Sequence, residues 1–219
     1  MDIETFIKQK LGIADMQYQI NPGFTKDFYS ERLVEHPFLW KHILPAPAKV
    51  LDIGCWESIF GIQLAMLGYE VQGIDIQKYG YRHPHFNFIY DSFLKHTFEE
   101  QFDIVINLSA IEHFGLSTYT NTEPNANADR LAVEKVQRIL KPNGQFLFTA
   151  PFGRHAVYKG FERIYDSADI MNLLQDFEIK TKQFFLIEKR NVQQISQKEA
   201  DSIPHEEDRY AVILVDARR

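Results

Sequence analysis

Short apolar runs recur along this chain at intervals that leave room for a helix between them, and that alternation constrains the fold more than any single motif. Residues 49–53 (KVLDI), 70–76 (EVQGIDI), 86–90 (FNFIY), 102–108 (FDIVINL) and 145–150 (QFLFTA) are nearly continuous in apolar side chains, each closed by a polar or small residue. That pattern belongs to strands buried on both faces of a parallel sheet. Residues 177–187 and 209–217 (RYAVILVDA) read as a sixth and a seventh strand, and the charged insertion at 190–208 as a surface loop or short helix. Segment 58–67 opens on a capping serine, and 128–140 sets Ala132, Val136, Ile139 and Leu140 at i, i+4, i+7 and i+8, so both predict helices packed on the sheet. Strand and helix in alternation imply right-handed crossovers and helices on both sheet faces, an α/β architecture. Pro45 and Pro47 mark the junction between residues 1–45, read as helical decoration or a lid, and a domain over 46–219.

A chain of 219 residues fits one such domain. Its formal charge of -6 offers no general attraction to nucleic acid or an anionic membrane, so neither is an expected partner. No apolar stretch approaches the roughly 20 residues that span a bilayer. The opening MDIETFIKQK carries acids where a secretory signal needs a basic lead, and a cytoplasmic protein is expected. The single Cys55 excludes an internal disulfide and a multi-cysteine zinc site. The 18 phenylalanines fall mostly inside the strand runs with no basic stripe beside them, which favours core packing over base stacking.

In open α/β sheets ligands bind beyond the carboxyl ends of the strands, where the strand order reverses. After the first strand come Asp52, Ile53, Gly54, Cys55, Trp56, Glu57 and Ser58, with a glycine that allows a tight turn before a helix. The second strand ends in Gly73, Ile74 and Asp75, a carboxylate 21 residues beyond Gly54 that could accept hydrogen bonds from both hydroxyls of a nucleoside ribose. The bland alternative is a glycine turn with Asp75 merely capping the next segment; the spacing of the two together favours a nucleoside. A nicotinamide enzyme would show GxGxxG at the first turn, a pattern Trp56 and Ser58 break.

Between Val50 and Phe152, VLDIGC, GID, FDIVINLSAIEHFG and ILKPNGQFLFTAPFG resemble, in order and spacing, the class I S-adenosylmethionine-dependent methyltransferases, and more closely their type 11-like members. The resemblance implies a Rossmann-like sheet of seven mostly parallel strands in the order 3-2-1-4-5-7-6, strand 7 antiparallel, with S-adenosylmethionine as cofactor. It implies Asp52, Gly54, Cys55, Trp56, Glu57 and Ser58 around the methionine part, Asp75 on the ribose and Ile76 beside adenine. Asp91 and Ser92 match the loop that bonds the adenine amine, and Asn107, Leu108 and Ser109 the fourth-strand end facing the methionine part and the methyl group. The chain departs from the family in carrying Trp56 where a glycine is usual and Ser58 where another is common. More narrowly, ES after the turn, YRHPHFNFIYDSF, SAIEHFGLSTY, LKPNG and ERIY are similar to a bacterial branch often encoded with polysaccharide or glycolipid genes, which implies a small-molecule or sugar-linked acceptor.

A sulfonium makes its methyl group electrophilic, so an enzyme gains mostly by aligning acceptor, methyl and sulfur in a water-poor pocket. A hydroxyl acceptor must also lose its proton. His113, just beyond the fourth strand, is a candidate general base, with Glu112 orienting it or binding the acceptor; the alternative is that the two cap a helix or satisfy each other. Ser109 lacks the G-x-S-x-G elbow of a nucleophile. Arg154, His155, Tyr158, Arg163 and Tyr165 lie in a predicted loop, 151–166, that could bind the acceptor, although Arg163 could equally pair with Glu162 or Asp166. Phe28, Tyr29, Arg32 and His36 could form a lid or a packing stripe. Among the eight histidines, His83 and His85 lack a completing ligand and read as a turn, so no metal is expected. The other class held open is a binding or assembly subunit that keeps the fold without turnover; Trp56 favours it, and the carboxylates Asp75 and Asp91 at strand ends oppose it.

Overall fold

The computed structural model describes residues 30–56, 58–116, 124–189 and 191–219. Each of the first five apolar runs becomes a strand: β1 (Lys49–Ile53), β2 (Glu70–Asp75), β3 (Phe86–Tyr90), β4 (Phe102–Leu108) and β5 (Leu140–Phe152). β1 is buried at every residue after Lys49, as a strand covered on both faces must be. Successive residues point to opposite faces, so Val50 joins one apolar cluster with Ile104, Ile106 and Leu147, while Leu51 and Ile53 join the other with Val105, Phe146 and Phe148.

Two helices cover the first of these clusters. α1 (Arg32–His42) brings Phe38 and Leu39, and α2 (Phe60–Met66) brings Phe60 and Leu64. Burial of Phe38 and Leu39 contributes about 1.5–3 kcal/mol each to holding α1 on the sheet. The chain after α1 is tied down by Gln145, which accepts from the Leu44 N–H and donates to the His42 carbonyl. On the other face lies α3 (Ala128–Ile139), whose Ala132, Val136 and Ile139 are buried as their spacing predicts. α2 starts two residues later than the predicted 58–67, and Ser58 Oγ accepts the Phe60 N–H at 3.0 Å just ahead of it.

Beyond β5 the chain forms a hairpin, β6 (Ala156–Tyr158) and β7 (Glu162–Ile164), then α4 (Ser167–Leu173), β8 (Glu178–Glu188), β9 (Asn191–Ile195), α5 (Gln197–Asp201) and β10 (Arg209–Arg218). The main sheet has the order β3-β2-β1-β4-β5-β10-β8-β9. Its first five strands run parallel, and β10 is antiparallel to both β5 and β8. The expected 3-2-1-4-5-7-6 order is therefore present, with two corrections. The sheet has an eighth strand, β9, at its edge, where the 190–208 insertion was expected to be loop or short helix; α5 occupies part of the same insertion. The predicted 151–166 loop is instead a hairpin: Lys159 and Gly160 both adopt positive φ, and Phe161 N–H bonds back to the Tyr158 carbonyl at 2.8 Å. Two left-handed residues at the centre of this β-turn match the twist of the flanking strands. Among the described residues no helix is long and apolar enough to cross a membrane.

Candidate functional site

The strand order reverses between β1 and β4, which opens a crevice at their carboxyl ends. Gly54 turns the chain out of β1 at φ 70°, its N–H on the Ile74 carbonyl at 2.9 Å. A Cβ at this position would overlap Ala110 Cβ, so the turn closes directly on the chain leaving β4. Asp75, the last residue of β2, binds this turn: its Oδ2 accepts from the Trp56 N–H at 2.9 Å and its Oδ1 from the Gln77 N–H at 2.7 Å. Among the described residues each carboxylate oxygen takes one backbone N–H in this way and keeps a second lone pair. Burial pushes the Asp75 carboxyl up, against the pull of these N–H groups. Ile76 follows half-buried, Cys55 and Ser58 are buried, and the Trp56 side chain is 42% exposed; Glu57 lies outside the described residues. Burial also pushes the Cys55 thiol well up, which makes it a packing group.

Asp52 is buried in β1, and among the described residues its Oδ2 has no hydrogen-bond partner. Burial pushes its carboxyl up to about 7; Asp75 adds to the rise while the Arg32 charge opposes it. At the end of β3, Asp91 donates its N–H to the Asp75 carbonyl at 3.1 Å, so the β2 and β3 ends are joined. The exposed Asp91 carboxylate pairs with His96 Nδ1 at 3.0 Å and takes the Ser92 N–H at 2.7 Å, and these bonds hold it below its ordinary value.

At the end of β4, Asn107 is fully buried, donating to the Thr149 carbonyl at 3.0 Å and accepting from the Ile111 N–H at 2.9 Å. Its amide thus fastens β4 to β5 and to the 3-10 helix Ile111–His113. Leu108 is buried, and its carbonyl accepts from Arg32 Nη1 at 3.3 Å. Ser109 takes a positive φ of 45° and donates its Oγ–H to Glu35 at 2.5 Å. Thr149 Oγ1 donates to the same Glu35 oxygen at 2.6 Å, and Arg32 Nη1 holds the other at 2.6 Å. Glu35 is wholly buried, and burial raises its carboxyl against the opposing Arg32 charge. Sequence reasoning passed over Glu35 and Thr149. The signal for Glu35 was a carboxylate on the same face of α1 as Phe38 and Leu39, a position that demands a partner. Phe28 and Tyr29 lie outside the described residues, and His36 packs on the Phe60 ring at 5.3 Å.

In the 3-10 helix Glu112 is 1% exposed, and among the described residues neither carboxylate oxygen has a hydrogen-bond partner; burial drives its carboxyl well up. His113 places Nδ1 2.7 Å from the Phe161 carbonyl and Nε2 3.9 Å from Glu112 Oε1. The β6–β7 turn therefore closes over His113 and brings Glu162 beside it: Glu112, His113 and Glu162 each present one ligand-type atom within 4.8 Å of the others. His205 Nε2 lies 3.0 Å from Glu162, and the Tyr158 ring stacks on His205 at 4.6 Å.

The other acceptor candidates have structural partners of their own or lie exposed. Arg163 is buried and bonds the carbonyls of Glu112, Phe114, Asn125 and Ala126, with Nε 3.5 Å from Asp129, so it staples β7 to the 3-10 helix and the start of α3. Its predicted pairing with Glu162 or Asp166 is replaced by Asp129. Buried Tyr165 donates to Asp129 Oδ2 at 3.0 Å. Arg154 and His155 are exposed, His155 pairing with Asp169 at 2.6 Å. A surface recess of about 180 Å³, lined by Lys49, Glu70, His85 and Glu100 among others, sits at the opposite, amino-terminal edge of the sheet. The crevice is marked by the convergence of strand ends.

The structure matches class I S-adenosylmethionine-dependent methyltransferases in fold. It is similar to the N-methyltransferase NodS from Bradyrhizobium japonicum WM9 in complex with S-adenosylhomocysteine, with a TM-score of 0.61 and 17% identity over 96% of this chain and 97% of that one. It is similar to 1,6-didemethyltoxoflavin-N1-methyltransferase of Burkholderia thailandensis, solved with 1,6-didemethyltoxoflavin and S-adenosylhomocysteine, with a TM-score of 0.59 and 14% identity over 99% and 85% of the two chains. The [4+2]-cyclase SpnF is also similar, with a TM-score of 0.60 and 14% identity over 85% and 80%, so one architecture carries more than one chemistry. The chain belongs to the family described as Caenorhabditis protein of unknown function, DUF268, whose model matches residues 64–216. That match begins inside α2, beyond the Gly54 turn. No curated protein matches the chain.

Proposed function

We propose that this protein binds S-adenosylmethionine at the carboxyl ends of β1, β2 and β3 and transfers its methyl group to a hydroxyl of a small-molecule or sugar-linked acceptor. The observation that carries the reading is the joining of Asp75 to the Gly54 turn, with one backbone N–H on each carboxylate oxygen and a lone pair of each left for a ribose hydroxyl. Two further features fit the group: a turn whose contact with Ala110 leaves no room for a Cβ, and the buried Asp52 Oδ2, an orphaned acceptor suited to an ammonium or an ordered water.

The cofactor supplies a methyl group on a positively charged sulfur, and the protein's residues divide the remaining tasks. Asp75 holds the ribose, Ile76 packs on adenine, and Asp91 and Ser92 meet its amine. Gly54, Cys55, Trp56 and Ser58 form the turn over the methionine part, with Asn107, Leu108 and Ser109 as the facing wall; Glu57, assigned to the same part by the resemblance, lies outside the described residues. Arg32, whose charge already bears on Asp52, is the cation we assign to the methionine carboxylate; residues 1–29 of the expected lid lie outside the described residues. Glu112 and His113 activate the acceptor hydroxyl, and Tyr158 packs against the acceptor from the hairpin. The sugar-linked acceptor is supported by the resemblance of the SAIEHFGLSTY and ERIY segments.

Ultraviolet crosslinking with methyl-labelled S-adenosylmethionine, followed by peptide mapping, tests the placement. Label is expected on peptides within 50–92 and competed by S-adenosylhomocysteine; label confined elsewhere overturns it. A second reading, a binding subunit without turnover, is favoured by Trp56 on the first turn and by Glu35 sitting on Ser109 and Thr149 at the β4 and β5 ends. It predicts a folded protein with no affinity for the cofactor.

A further inference from the structure

We infer that Glu112, His113 and Glu162 form a site for one divalent first-row transition metal, with His205 orienting Glu162. The three side chains come from two distant segments, yet one ligand atom from each falls within 4.8 Å of the other two. Neighbouring ligand atoms around a cation with bonds of about 2.0–2.2 Å stand about 3–3.4 Å apart, so small rotations of the two carboxylates would complete the set.

Glu112 makes the cluster more than a chance meeting of acids. It is 99% removed from solvent, aims at His113 Nε2, and among the described residues neither of its oxygens accepts a hydrogen bond. A carboxylate buried in that way costs several kcal/mol unless it is protonated or bound to a cation. The surroundings match those of a metal ligand set. His113 directs Nδ1–H to the Phe161 carbonyl, the kind of backbone contact that orients a ligand imidazole. Glu162 is held by His205 Nε2 at 3.0 Å, and His205 is itself held by the Tyr158 ring. One imidazole and two carboxylates suit manganese, iron or zinc better than magnesium, which prefers oxygen alone.

The site stands on this geometry; its part in the reaction rests on the methyl-transfer reading. There the metal deepens the role given to Glu112 and His113: an acceptor hydroxyl coordinated to it loses its proton to solvent more readily, with His113 as a ligand.

The test uses the full chain, stripped with chelator and titrated with MnCl₂ and with ZnCl₂ by calorimetry, with circular dichroism as the folding control. One saturable site is expected for each metal, with MgCl₂ weaker. Glu162→Gln and Glu112→Gln should each weaken binding by about 100-fold or more, and His205→Phe, which preserves the stack on Tyr158, by about 10–100-fold. A folded, stripped wild type that takes up neither metal overturns the inference, as does unchanged affinity in both Gln variants. S-Adenosylhomocysteine is titrated into the same stripped sample. Cofactor binding without metal binding removes only this inference, and metal binding without cofactor binding removes only the methyl-transfer reading.

Discussion

Asp52 is a buried group whose ionisation opposes the fold. The substitution Asp52→Asn keeps its shape and removes the charge. The carboxyl rises from its ordinary 3.8 to about 7, chiefly through burial, so the folded state holds a proton that the unfolded chain releases. Stability from this group is complete below pH 4 and is lost as the pH rises through 7, because over that span the folded state binds more protons. The full difference corresponds to about 4 kcal/mol, of which about 3 kcal/mol falls between pH 5 and pH 8. Against this, the amide places an N–H₂ where Oδ2 has no partner among the described residues, at a cost of about 1–3 kcal/mol that does not change with pH. Urea unfolding of both proteins at pH 5 and pH 8 separates the two effects. The variant is expected to gain about 3 kcal/mol on the wild type between pH 5 and pH 8. Stability curves that run parallel across this range would refute the assignment of a raised carboxyl to Asp52.

Gly54→Ala forces a Cβ into Ala110 at a positive φ, and should lower stability by about 2–4 kcal/mol in urea unfolding while weakening cofactor binding more than the loss of fold explains. Glu35→Ala removes the acceptor of Ser109 and Thr149 and strands Arg32, at an expected cost of about 3–5 kcal/mol in the same assay; Glu35→Gln, which keeps an acceptor, should cost less.

The parallel half of the sheet was legible because strands covered on both faces must be apolar at nearly every position, as IVINL in β4 is. β9 was not, since NVQQI is an edge strand with no residue fully buried, and its polar composition is that of a loop. The hairpin turned on Lys159 and Gly160, a dipeptide without the Asn or Asp that marks most such turns. Asp75 could be found because its distance from Gly54 along the chain is set by one strand–helix–strand unit. Glu35 meets Ser109 across 74 residues and Thr149 across 114, and neither pairing leaves a local pattern. Arg163 read as a loop cation, whereas its two terminal nitrogens fit a ring of four carbonyls that only the folded chain assembles. Glu112, His113 and Glu162 likewise converge only when the hairpin folds over the 3-10 helix.

The methyl-transfer reading is tested most directly by calorimetric titration of S-adenosylhomocysteine into wild type and Asp75→Ala, with circular dichroism confirming that both are folded. Two hydrogen bonds to a carboxylate are worth together about 3 kcal/mol or more, so the variant should bind about 100-fold more weakly than a saturable one-site wild type. Folded wild type that shows no binding, or a variant that binds as tightly, would contradict the assignment of this crevice to S-adenosylmethionine.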